Sequence, residues 1–429
     1  MEAQTNTAGL PEVMLTEILA KLPMRSISRF KSVCKTWKKT LESVYFRRHF
    51  MSLHQHSSSS CSWSLIRGEF MGKELMGCYG QWDLPKSPAS YIPPPSKYFS
   101  SSFSNGLVLM EGRDYFFFVG NPVLRQWAKI PYPLCDTSSF GLVSRVDLDG
   151  VVVSFKIVRR GVGSSNTDLF VRIYSSETGV WTSKQLHFPC DDHIPYSSPI
   201  SLNETIYFLA QTDFHIRQPG VLIAHDFYSE SDQCQVIPLP DHSNNPNYKR
   251  ALTTCGGFVM YVKTLAENVY DSLKVWRLRK DSAAWELLWD LDLPLAWADD
   301  IAYNAPVAMH PFDSDVVYIW RQKSRDMVSY NLRTQNYTTM RDASKWYNDN
   351  NQNSFMNRFV CQKYMDEIYG PNSLWGSGSV VALFQFVQSR WMEPVPCPPQ
   401  VEMINTASLL SYISSIKKRK RDIGRGFRY

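Results

Sequence analysis

The side chains able to do chemistry are few, and their spacing does not assemble a reaction centre. Cys190-Asp191-Asp192-His193 sets one thiol and one imidazole at a separation that metal sites use. No second pair follows, and a structural zinc needs four ligands. His54, His56 and Cys61 flank a Ser-rich stretch that reads as a linker. Gly161-Val162-Gly163-Ser164-Ser165 lacks the lysine and the strand–turn–helix setting of a phosphate loop, and reads as a hairpin turn. Asp299-Asp300 is a carboxylate pair without an acid–base partner at a defined spacing. The expectation is a non-catalytic chain with no metal and no cofactor.

What elements surround these residues? The chain has 429 residues, 44% of them hydrophobic and 14% aromatic, the composition of a folded protein. Its polar start, MEAQTNTAGL, has neither the charged nor the apolar region of a signal peptide. No apolar run reaches the ~18 residues of a membrane span. The nine cysteines are odd in number and form no CxxC pair, and Cys34, Cys234 and Cys255 fall in apolar segments where a thiol packs as a small hydrophobe. A reducing interior, nucleus and/or cytoplasm, is expected. The net charge of +6 is uneven: residues 10–50 carry +6, residues 417–429 another +6, and residues 51–416 are left with −5. The run Lys417, Lys418, Arg419, Lys420, Arg421 is a candidate nuclear import signal. Direct nucleic-acid binding is not expected, because aromatic and basic residues do not interleave through the body.

Beyond residue 60, short Val/Ile/Phe/Tyr-rich runs recur between Gly, Asn, Asp and Pro turns, the pattern of antiparallel strands. A longer period overlies them. An apolar strand, a few turn residues and a large side chain recur at Trp127, Trp181, Cys234, Trp285, Tyr337 and Trp391, with spacings of 54, 53, 51, 52 and 54. An earlier element carries Trp82. A second marker, a tight turn, precedes each anchor at Asn105-Gly106, Asp149-Gly150, Asn203-Glu204, Gly256-Gly257 and Asp313-Ser314. Two markers in one phase predict a β-propeller, a ring of four-stranded sheets each packed on its neighbours. Residues 51–416 hold about seven periods, which favours seven blades; six would require the first and last elements to share a sheet. Trp127, Trp181, Trp285 and Trp391 are expected to pack between blades.

Residues 10–50 differ: LPEVMLTEILAKLPMRSISRFKSVCKTWKKTLESVYFRRHF is helical by pattern. Leu15, Ile18, Leu19 and Leu22 stripe one helix that starts at Pro11 and stops at Pro23. Ile27, Phe30 and Cys34 stripe a second, with Ser26 as candidate cap. Trp37, Leu41 and Val44 stripe a third, with Thr36 as candidate cap. About 40 residues rarely fold alone without a metal, a disulfide or a partner, so a protein-docking surface is the economical reading.

Leu10-Pro11, Ile18-Leu19, Leu22-Pro23 and the run Phe30-Lys31-Ser32-Val33-Cys34-Lys35-Thr36-Trp37 together resemble an F-box of the plant type. Residues 60–400 resemble kelch-type and F-box-associated repeats, although only Gly256-Gly257 keeps the double glycine and Cys234 and Tyr337 stand where Trp is usual. The resemblance implies an α+β multidomain chain: a polar N-terminus (1–9), a three-helix F-box (10–50), a linker (51–62), an all-β propeller of six or seven blades (63–400) and a basic tail (401–429). It also implies a Skp-type adaptor, and through it a cullin, as partners. The adaptor contacts would fall on Leu10, Pro11, Ile18, Leu19, Leu22, Pro23, Ile27, Val33, Cys34 and Trp37. The function implied is substrate recognition for a ubiquitin ligase, with an unknown target protein held by the propeller. Loops 211–220, 241–250 and 297–304 and the stretch 341–376 are candidate target contacts, with Phe214, Arg217, Trp297 and Tyr303 as interface anchors. A non-proteolytic nuclear scaffold or transcriptional co-regulator and a ligand-binding propeller remain alternatives.

Overall fold

The computed structural model describes residues 11–22, 24–54, 62–67, 73–79, 86–93, 101–111, 116–132, 138–161, 168–187, 199–210, 220–240, 248–266, 271–293, 304–343, 354–369, 380–388, 391 and 394–412. Four helices come first: α1 (Glu12–Ala20), α2 (Met24–Phe30), α3 (Lys35–Leu41) and α4 (Val44–Leu53). A fifth, α5 (Arg358–Tyr369), lies between later strands. Strands from Trp63 onward form six sheets of four or five strands.

Blade 1 runs through Ser101–Ser104, Leu107–Glu111, Phe116–Asn121 and Gln126–Pro131. Blade 2 is Ser138–Val146, Val152–Arg160, Asp168–Ser175 and Trp181–His187, and blade 3 is Ile200–Leu202, Thr205–Ala210, Val221–Asp226 and Gln235–Pro238. Blade 4 is Tyr248–Cys255, Phe258–Ala266, Asp271–Leu278 and Trp285–Asp292, and blade 5 is Asn304–Met309, Val316–Arg321, Asp326–Asn331 and Tyr337–Thr339. Each is an antiparallel meander with its N-terminal strand at one edge, except that in blade 4 Val380–Ala382 adds in parallel outside Tyr248–Cys255.

Blade 6 is composite. Trp63–Ile66 and Glu74–Cys78, from the start of the chain, lie between Phe384–Val387 on one side and Ser354–Met356 on the other, with Arg341–Asp342 beyond. The first and last elements therefore share a sheet, and the ring has six blades where period counting favours seven. Part of the surplus length lies around α5, whose Val360, Cys361, Tyr364, Met365 and Ile368 bury against blades without forming one. A second strap closes the ring outside it: Glu402–Asn405 pairs with Gln126–Pro131, and Leu409 is buried against blade 1. Residues 401–412, expected in the basic tail, thus belong to the propeller.

Apolar clusters lie between neighbouring blades rather than within one. Val143, Val158 and Leu169 of blade 2 meet Ile206, Phe208 and Ile223 of blade 3, for example. All five turn markers fall between the first and second strands of blades 1 to 5. Asn105-Gly106 (φ +47° and +79°) and Gly256-Gly257 (φ +56° and +79°) are two-residue hairpin loops with both residues left-handed, which is why Asn and Gly stand there. The anchors fall at or beside the outer strand of each of these blades. Trp181 Nε1 donates to Pro131 O (2.9 Å) and Trp285 Nε1 to Pro238 O (2.8 Å), each reaching the carbonyl that ends the preceding blade's outer strand. Trp127 is fully buried and donates to Thr406 Oγ1 (3.0 Å). Trp391 departs from this pattern, as described below.

Candidate functional site: a helical docking face and its seat

Local chemistry sets the helix ends. Pro11 is the residue before α1, and its carbonyl accepts from Leu15 N (3.0 Å). Cys34, not Thr36, caps α3: it is exposed and extended, and its Sγ accepts from Trp37 N (3.4 Å). Ser43 starts α4, with its Oγ accepting from Phe46 N (3.1 Å). That cap splits the expected third helix in two, since Leu41 ends α3 and Val44 opens α4. Ser26 lies inside α2, which begins at Met24.

The helices share a core of Leu15, Leu19, Ala20, Ile27, Leu41, Phe46 and Phe50. Leu22, Phe30 and Trp37 are half-buried against it, with the Phe30 and Trp37 rings edge to face at 5.3 Å. The adaptor-contact residues therefore divide. Leu19 and Ile27 face inward, each about 1% exposed. Pro11, Ile18, Val33 and Cys34 lie open at the surface, Ile18 at 49% and Val33 at 58%. Val13 and Met14, absent from the expected contacts, are exposed as well, at 71% and 57%. Leu10 and Pro23 lie outside the described residues. An exposed apolar row beside a filled core suits docking: the inner residues hold the shape and the outer ones have area left to bury.

The helices are seated on the propeller in two ways. Trp391, just beyond the last strand of blade 6, is 3% exposed and packs among them, its ring 5.6 Å from Phe50 and 6.0 Å from Phe46. Lys31 Nζ lies 5.8 Å from the same indole. The inter-blade position expected for Trp391 is thus replaced by a place in the helical core, because the strand before it, Phe384–Val387, is the sheet edge opposite the outer one, where the other anchors lie. The second contact is ionic. Arg47 Nη2 and Arg48 Nε donate to the two carboxylate oxygens of Asp149, each at 2.7 Å. Asp149 sits in the blade 2 hairpin, where Asp147 Oδ1 accepts from the backbone N of Asp149 and Val151 (both 2.9 Å). Hydrogen bonds from Arg48 and then Arg47 hold the Asp149 carboxyl below its ordinary pKa. Within the helical unit, His49 Nε2 lies 2.9 Å from Glu17, and a ring nitrogen of His54 lies 3.0 Å from Ala20 O.

Sequence reasoning misses Trp391, Arg47, Arg48 and Asp149 as a group. The tryptophan is visible only as one more anchor in phase, and a contact spanning about a hundred residues leaves no local periodicity.

The proposed target anchors Phe214, Arg217, Trp297 and Tyr303 lie outside the described residues, as do Lys417, Lys418, Arg419, Lys420 and Arg421, Cys190 with His193, and Asp299-Asp300. Among the described residues no three His, Cys, Asp or Glu side chains are grouped closely enough to hold a metal, and no helix is long and apolar enough to cross a membrane.

Comparison with known proteins agrees with this division of the chain. Residues 8–49 match the F-box domain, and residues 61–397 match the family described as F-box protein At3g26010-like, beta-propeller. The F-box protein At3g26010 of Arabidopsis thaliana is 48% identical over 430 residues, covering 97% of this chain and 98% of that protein. The putative F-box/kelch-repeat protein At4g22430 of the same plant is 45% identical, covering 96% and 99%. The F-box protein At1g49990 is 37% identical, covering 91% and 98%.

Proposed function

We propose, from the premise that this chain belongs to the At3g26010-like family of F-box β-propeller proteins, that it is the substrate-recognition subunit of a ubiquitin ligase of the Skp adaptor–cullin–F-box type. The helices take the Skp-type adaptor, and through it a cullin, while the propeller takes a target protein for ubiquitination and proteasomal degradation. The chain itself catalyses nothing; it raises the target's effective concentration beside a ubiquitin-charged enzyme. It works in the nucleus and/or cytoplasm, with Lys417–Arg421 as the import signal.

The observation that carries this reading is the set of exposed apolar side chains Pro11, Ile18 and Val33 on a helical unit anchored to the propeller. Each such side chain adds about 1.5–3 kcal/mol when fully buried, before the costs of association. Leu19 and Ile27 are already buried and add no new area. A firm seat also matters, because it sets the distance from adaptor to target.

Co-purification with a Skp-type adaptor tests the reading, comparing wild type with an Ile18→Asp, Val33→Asp double variant. Both positions are about half exposed, so charge there leaves the fold intact yet sits unpaired in a desolvated interface. Binding by wild type and not by the variant, with unchanged melting, supports it. Failure of wild type to bind at micromolar concentration overturns it.

A further inference from the structure

A cavity of about 230 Å³ lies at the centre of the ring, between the first strands or hairpins of blades 1 to 5 and the Phe384–Val387 strand of blade 6. Phe103, Phe312 and Phe384 supply aromatic wall, and none of the described lining residues is ionisable. Two glutamines from one segment face different circumstances. The Gln385 amide is fully engaged: Nε2 donates to Thr253 Oγ1 (2.9 Å) and Thr254 O (2.7 Å), and Oε1 accepts from Thr254 Oγ1 (2.5 Å). Gln388, also lining the cavity, is 3% exposed, and among the described residues neither its Nε2 nor its Oε1 has a partner. Its backbone N donates to Ser62 O (3.1 Å). Ser201 Oγ, also in the lining, is likewise buried without a partner among the described residues. A buried amide without a hydrogen bond destabilises the fold, a penalty that apolar Leu would remove.

We infer that this cavity binds a small, uncharged molecule with an aromatic or similarly flat apolar body and one amide-like donor–acceptor pair. The body stacks among the phenylalanines, and the pair meets the Gln388 amide and the Ser201 hydroxyl. Charge is excluded because no side chain in the wall can neutralise it. Size is limited because the volume lies below the ~300–1,000 Å³ of sites for larger ligands. Ordered water alone would satisfy the same polar atoms, and the test separates the two. The site is independent of the adaptor reading. It adjoins the helical seat, since Gly150 in its wall follows Asp149 and Gln388 is three residues before Trp391.

Ligand-observed NMR and thermal unfolding of the full chain would use benzamide as the probe, beside its charged isosteres benzoate and benzamidinium. Saturable benzamide binding with a Kd on the order of 1 mM is expected for so small a probe, with both charged analogues at least tenfold weaker. Gln388→Leu should abolish binding and melt no lower than wild type, and Ser201→Ala should weaken binding severalfold. Absence of benzamide binding at ten times that concentration means that the cavity holds water only and overturns the inference. Equal binding of benzoate, or binding untouched by both variants, overturns it as well.

Discussion

The indole of Trp391 lies edge-on to Phe50 at 5.6 Å, so a residue near the end of the propeller completes the core of helices at the start of the chain. The helical unit is therefore not a bead on a string. Its smallness is offset by a tryptophan borrowed from elsewhere in the sequence. Trp391→Ala is expected to cost the helices about 3–5 kcal/mol, the usual penalty for emptying a large aromatic site. Hydrogen exchange of α4 amides should accelerate accordingly, while exchange in blades 3 to 5 stays unchanged. Unchanged α4 protection would refute a packing role for the indole.

Asp149 accepts from two arginines, but Arg48 is 64% exposed and its share is screened by solvent. Asp149→Asn should accelerate α4 exchange less than Trp391→Ala does, and the effect should shrink in high salt. The carboxyl's depressed pKa makes its contribution complete above the ordinary value of about 3.9 and lost as pH falls through the lower folded value. The contact thus persists at neutral pH, and its loss is to be sought in strong acid by the same exchange measurement.

Trp181 and Trp285 make the same hydrogen bond in different parts of the ring. Replacing either by Phe leaves a proline carbonyl without its donor and should cost about 1 kcal/mol in a denaturant titration. The double variant should cost the sum, because the pairs share no partner. A strongly non-additive result would mean that the blades communicate through the ring.

His310 offers a pH signature. Its Nδ1 accepts from the backbone N of Phe312 (3.2 Å) and Asp313 (3.1 Å), and its ring lies against Trp63 and Tyr318. Burial pushes its pKa from 6.5 down to about 4. Below pH 6.5 the unfolded chain takes up a proton that the folded one refuses, so stability is lost as pH falls towards 4, on the order of 3 kcal/mol in all. Glu74 has the opposite slope: burial raises its carboxyl to about 7, so its protonated folded form loses stability as pH rises from 4.5. Comparison with His310→Asn, which keeps an acceptor without the titration, isolates the histidine. The stability advantage of wild type over the variant should shrink by on the order of 2 kcal/mol between about pH 7 and 4.5, measured by chemical denaturation.

Local pattern alone was enough for the two-part architecture. Apolar spacing marks Leu15 and Leu19 as one helical face, and the paired phase of turn and large side chain marks the blades, because both signals arise from neighbours a few residues apart. Ile18 and Leu19, grouped in the sequence, take different environments for a geometric reason: adjacent helical residues point about 100° apart, so Leu19 fills the core while Ile18 stays outside. Closure of the ring was decided only in three dimensions. Residues 63–78 and 384–387 are more than three hundred positions apart, and what joins them is a sheet whose apolar faces bury against blade 5 on one side and blade 1 on the other. That shared sheet gave the ring six blades and put Trp391 after an edge strand other than the outer one. The indole was free to serve the helices instead, a fate its spacing from Tyr337 could not disclose.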